Sequence, residues 1–231
     1  MKRYVKSASG FSMIELLFAA AIFTIVAGGV FSVLLNSQMR YRSESGLTNA
    51  FQEANIVMDQ LTRDIHSAGF PPPSMFNATV SSQKFAIAFP WSPGYPNPSA
   101  TCIIGATCTA PGDTELILEA DLGNGVQWIR YTLVGTTLMR GMMPKPSGTD
   151  PLSLDWSSYL TPYLENVINQ NLSPPAAIFV YSDATGAGTT DPTAIHEVNV
   201  YLRVQSSVRD PQTGQFRTIA LTGQAVRFNG N

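Results

Sequence analysis

Charge is scarce in this sequence. Only 13% of its 231 residues are Asp, Glu, Lys or Arg, against 44% hydrophobic, and the formal balance is −2. A chain so poor in cations has no basic stripe with which to neutralise a run of phosphates, which excludes nucleic acid as a partner. Histidine and cysteine number two each. That rules out a disulfide-dense scaffold, and it speaks against a Cys/His metal site, because His66 and His196 lie far in sequence from Cys102 and Cys108. No GxSxG, HExxH or P-loop pattern occurs, so none of the common hydrolytic or phosphate-binding motifs is available. Internal repeats are also missing. The length and apolar fraction suit one folded domain with a substantial core.

What is present is one long apolar run. Residues 10–35 read GFSMIELLFAAAIFTIVAGGVFSVLL. As a helix, residues 11–35 extend about 38 Å, more than the roughly 30 Å of bilayer hydrocarbon. Lys2, Arg3 and Lys6 precede the run, which predicts residues 1–10 on the cytoplasmic side and everything beyond residue 35 exported. With three of the 14 cations there, the rest of the chain holds 11 against 16 carboxylates. A cleaved secretory signal does not fit. Its apolar region is about 7–15 residues and ends at a small-residue cut site, whereas this run flows into an amphipathic helix. Glu15 is the anomaly, since a carboxylate in hydrocarbon costs about 2.5–3.5 kcal/mol. Something has to compensate it.

The segment KRYVKSASG, followed by FSMIE and a long apolar helix, resembles the class III signal of type IV pilin-like proteins. The resemblance implies cleavage between Gly10 and Phe11, N-methylation of Phe11, and Glu15 as the fifth residue of the mature chain. It further implies a prepilin peptidase/methyltransferase, other major and minor pilins and an inner-membrane pilus assembly platform as partners, with no cofactor and no catalytic activity. The physics agrees with that reading. Cleavage creates an α-amine that is cationic near neutral pH and stays so as a secondary amine. Glu15 lies one helical turn from Phe11, and between packed helices its carboxylate can neutralise the amine of a neighbour. Removing one partner of such a pair in low dielectric costs about 3–5 kcal/mol. Gly28 and Gly29 interrupt the same span, each at up to about 1 kcal/mol relative to Ala. In this family the first helix loosens in its membrane half during packing, so the pair is a candidate helix hinge. Close helix packing through small residues, with Ala19, Ala20 and Ala21, is the other reading.

Beyond the membrane the helix is expected to continue. Leu47, Phe51, Ala54, Met58, Leu61, Ile65 and Ala68 form an apolar stripe at helical spacing, with Asp59, Arg63 and Asp64 among the residues between them. Gly69 and the prolines after Phe70 end it. Strand-like runs follow at residues 84–89 (KFAIAF), 114–119, 126–134, 138–140, 178–181, 196–204 and 217–228, with Asn124-Gly125 as a hairpin signal and DPQTGQ joining the last two. His66 is expected to face solvent, and His196 to sit at a strand edge. Asp183 and Asp191 flank ATGAGTT, which reads as a flexible loop or, less well, as a calcium loop without EF-hand spacing. Cys102 and Cys108 in an exported domain read as a disulfide closing a small loop, free thiols being the alternative.

The expected fold class is α+β: a long N-terminal helix packed on a C-terminal antiparallel β-sheet. Its parts are a cleaved leader (1–10), a transmembrane half-helix (11–35), an amphipathic half-helix (36–69) and an exported globular domain (70–231). The stretches ANIVMDQLTRDIHSAGFPPP, WIRYTLVGTTLMRGM, LTPYLENVINQ, IFVYSDATG, HEVNVYLRV and QAVRFNGN are similar to PilW-like minor pilins and the related J-type pseudopilins of type II secretion. This resemblance implies a minor pilin that helps prime a type IV pilus, held in a bacterial inner membrane with a periplasmic domain before entering the filament. A J-type pseudopilin is the alternative within the class, and a non-polymerising membrane-anchored binding or catalytic domain the alternative outside it.

Overall fold

One helix, α1 (Met13–Ser67), occupies 55 residues of the computed structural model and runs about 80 Å. The structure describes residues 10, 12–72, 86, 88–90, 109–145 and 155–229. The helix ends as expected. Gly69 adopts φ +79°, a conformation that favours glycine, and its N–H donates to the Glu119 carbonyl at 2.8 Å.

The first half of α1 is bare and the second half is buried on one face. Ala54, Met58, Leu61, Ile65 and Ala68 are in the core as the apolar spacing predicts, but Phe51 is 46% exposed and Ala50 takes its place. The reason is close approach. A Cβ added to Gly223 would lie 2.4 Å from the Met58 sulfur, and one added to Gly46 would lie 3.3 Å from Val208. Glycine on the strand lets Met58 of the helix come this near, and Phe51, about 100° round the helix from Ala50, falls at the rim of the buried face.

The single expected sheet is two sheets. Strands β1 (Glu115–Asp121), β2 (Val126–Val134), β3 (Thr137–Pro144) and β4 (Leu160–Leu164) form an antiparallel sheet in chain order. Strands β5 (Phe179–Ser182), β6 (Glu197–Arg209) and β7 (Phe216–Val226) form a second one, also antiparallel. The Asn124-Gly125 signal marks the β1–β2 turn, where Asp121 Oδ1 accepts from the N–H groups of Gly123 and Gly125 at 2.8 and 3.0 Å. β4 was not anticipated, because Pro162 within it argues against a strand; it is tolerated there because β4 is an edge. Of the run 84–89, residues 84, 85 and 87 lie outside the described residues. Ala86, Ala88 and Phe89 are buried without forming a strand, and Ala88 covers the β1 edge by accepting from the Glu119 N–H. Asn169, fully buried, ties the connection between β4 and β5 to β6: its Nδ2 donates to the Tyr201 carbonyl and its Oδ1 accepts from the Arg203 N–H, both at 2.8 Å.

The helix and the four-stranded sheet meet at a buried carboxylate. Asp64 is 1% exposed. Its Oδ2 accepts from the Tyr131 hydroxyl at 2.6 Å and from Arg140 Nη2 at 2.8 Å, and the Arg140 guanidinium lies over the rings of Tyr131 and Tyr163 at 5.6 and 5.7 Å. Burial, followed by the Asp64 charge, pushes the Tyr131 hydroxyl far above its ordinary pKa, so it stays protonated and donates. Burial opposes the charge on Arg140, but Tyr131 and Asp64 outweigh it and hold the guanidinium cationic. Tyr181 is also raised, first by burial; its hydroxyl donates to the carbonyls of Gly112 and Glu115.

These two tyrosines fix the sign of an alkaline effect. A hydroxyl that holds its proton more tightly when folded stabilises the fold up to about pH 10 and loses that contribution above it, at about 1.4 kcal/mol per pH unit for each group. In detergent micelles, denaturation followed by tryptophan fluorescence should therefore show stability falling from pH 10 upward. Tyr131→Phe should cost about 1–2 kcal/mol at pH 7 and make the alkaline fall shallower. Asp64→Ala, which strands Arg140, should cost about 3 kcal/mol. An unchanged alkaline slope in Tyr131→Phe would contradict this assignment.

Candidate functional site

The start of α1 is built by four residues. Ser12 has extended backbone (φ −67°, ψ 143°) and its Oγ accepts from the Ile14 N–H at 3.4 Å, while the Glu15 carboxylate reaches back to accept from the Ser12 N–H at 2.9 Å. Together these form a capping box, which satisfies amide groups that a helix start otherwise leaves open. The pattern Ser-x-x-Glu of this box stands in FSMIE. Glu15 thus has a partner inside its own chain, and that partner is neutral. Its Oε2 is engaged, whereas Oε1 has no hydrogen bond among the described residues.

Gly10 is exposed, and a Cβ added to it would meet nothing within 4 Å. The chain's own packing therefore sets no requirement for glycine at this position. Phe11 lies outside the described residues, as do Cys102 and Cys108. From residue 13 to residue 35 every residue is exposed, and the most apolar window of α1 reaches a mean hydropathy of 2.4 with none of it buried against the chain. The helix runs unbroken through Gly28 and Gly29, where an added Cβ would also meet nothing within 4 Å. Among the described residues nothing packs on these glycines.

The other candidates are not brought together with this end of the chain. Asp183 Oδ1 accepts from the Thr185 hydroxyl and from the N–H groups of Thr185 and Ala187, and these bonds, the Thr185 hydroxyl first, hold its carboxyl below the usual range. Asp191 Oδ1 accepts from the Thr193 N–H and hydroxyl. The segment is thus a pair of hydrogen-bonded turns, and among the described residues no group of three or more His, Cys, Asp or Glu converges to hold a metal. His66 is half-buried with its ring 4.4 Å from that of Phe228, where solvent exposure was expected. His196 lies one residue before β6, and its N–H donates to the Ser182 carbonyl.

Comparison with known proteins points to the same end of the chain. Residues 5–31 match the family model for the prokaryotic N-terminal methylation motif. The match contains Gly10, Phe11, Glu15, Gly28 and Gly29, and the motif is a class III prepilin signal, followed here by a helix long and apolar enough to cross a membrane. No curated protein and no solved structure matches the chain.

The cap makes a local prediction. Ser12→Ala removes the hydroxyl acceptor at a cost of about 1 kcal/mol, roughly a fivefold rise in opening of the first turn. Amide hydrogen exchange of the Ile14 N–H in detergent micelles should rise by that factor while amides beyond residue 40 are unchanged. Equal exchange in both proteins would show that the cap contributes nothing.

Proposed function

We propose that the chain is a minor pilin, cleaved between Gly10 and Phe11 and methylated on Phe11, that helps prime assembly of a type IV pilus and is incorporated into it. The observation that carries this reading is Glu15. It lies at the mouth of an apolar helix within the methylation motif, with one carboxylate oxygen capping its own chain and the other open. The open oxygen is available to the cationic amine of another processed subunit. Neutralising both charges as the helices come together removes the cost of holding either alone in hydrocarbon. The bare helix between residues 13 and 35 is the surface along which such packing proceeds, first against lipid and then against other pilins on the inner-membrane platform. Gly28-Gly29 is the place where that helix gives during packing. The periplasmic domain carries the Cys102–Cys108 disulfide.

Two substitutions separate capping from charge. Glu15→Gln keeps an acceptor for the Ser12 N–H but loses the charge; Glu15→Ala loses both. Each variant should insert, be processed and keep the folded domain, and each should be lost from sheared filaments to the same extent, because the charge is what assembly uses. The measurement is processed protein in the membrane against protein in the filament fraction. Normal incorporation of Glu15→Gln would contradict the charge-pairing role, and loss of either variant from the membrane would make Glu15 a stability residue.

A further inference from the structure

The cations of the exported part are unevenly placed. Three of them, Arg40, Arg209 and Arg217, gather where the β6–β7 turn meets α1, with the carboxylates Glu44 and Asp210 among them, and Arg42 lies at the same depth on another face of α1, beside Ser37, Gln38 and Tyr41. Beyond the three N-terminal cations the chain holds 11 cations against 16 carboxylates, so this corner is net positive while the remainder is strongly negative.

Its position along the helix is defined. The Arg217 guanidinium pairs with Glu44 at 2.6 Å, and Asp210, Pro211 and Gln212 face Arg40, Ser43 and Glu44 across a cavity of about 190 Å³. The turn therefore reaches down α1 as far as Arg40, five residues past the end of the apolar run. Five residues of helix are about 8 Å, and the headgroup layer on each side of the hydrocarbon is roughly 5–8 Å thick. Arg40, Arg42 and the turn thus lie at headgroup depth when residues 13–35 fill the hydrocarbon. Tyr41, between the two arginines, is 76% exposed, as suits an aromatic at a membrane interface. Arg209 is held at the tip: it donates to the Gly214 carbonyl at 2.8 Å and its guanidinium stacks on Phe216 at 4.3 Å. Arg40, Arg42 and Arg209 are all exposed.

We propose that the β6–β7 turn, with Arg40 and Arg42, docks on the headgroups of anionic phospholipids on the domain's side of the membrane. The domain is then held down against the bilayer, and a subunit leaving for the filament must break these contacts. The inference rests on the reading that α1 spans a membrane, and it adds a second, electrostatic attachment to the apolar one. Each cation near an anionic surface raises the local affinity roughly fivefold, and salt weakens the effect.

The test uses the full chain reconstituted into vesicles of phosphatidylcholine alone or of phosphatidylcholine with phosphatidylglycerol. Amide exchange across residues 208–217 should slow severalfold when phosphatidylglycerol is present, recover at high salt, and not respond to inorganic phosphate added to the neutral vesicles. Arg40→Gln with Arg42→Gln should remove part of the slowing, and Arg209→Gln added to these the rest, with tryptophan fluorescence unchanged. Equal exchange on both vesicles, in protein that floats with them, would overturn the docking and leave the anchor intact. Protein that floats with neither would overturn the anchor and the docking together.

Discussion

Asp64 is the interaction on which the rest depends. It is carried by α1, fully enclosed, and held by Tyr131 of β2 and Arg140 of β3. The helix is fastened to the second sheet independently, through the fit of Met58 over Gly223 and the Glu44–Arg217 pair. The sheets also meet directly, where the Tyr181 hydroxyl of β5 donates to the Glu115 carbonyl of β1, and α1 packs on both of them. α1 is therefore the spine of the domain as well as its anchor. A force on residues 13–35 is delivered to the core of the domain with no linker to absorb it.

The two ends of α1 solve the same problem in opposite ways. At one end the carboxylate of Asp64 is buried and saturated by partners from its own chain, as an isolated folded domain requires. At the other end the carboxylate of Glu15 accepts, among the described residues, from a single backbone N–H, in a helix whose apolar surface is exposed. A protein that stays alone in the membrane gains from this carboxylate the cap on its own first turn. A subunit that packs against its own kind gains a contact that forms only in the assembly.

Much of this was readable from residue order, because the deciding information was local. The apolar run, the glycine that ends the helix, β2 and the β1–β2 turn all follow from patterns a few residues long. Asp64 was not readable, since on its helix it looks like one of several polar residues between apolar steps. Its partner Arg140 is 76 residues away. The division into two sheets escaped for the same reason, as alternation identifies strands but not which strands pair. Phe51 was assigned to the core on helical spacing, but it lies at the rim of the buried face, whose centre is set by the strands that pack on it. At the start of α1 the Ser12 cap was overlooked although its pattern is just four residues long.

The central claim is that this chain matures by losing its first ten residues and so creates the amine that Glu15 is placed to meet. Mass spectrometry of the membrane-extracted protein tests it most directly. The account predicts a chain that begins at Phe11 and carries one N-terminal methyl group. A chain that still begins at Met1, or one cut beyond residue 21 within the apolar helix, would contradict it.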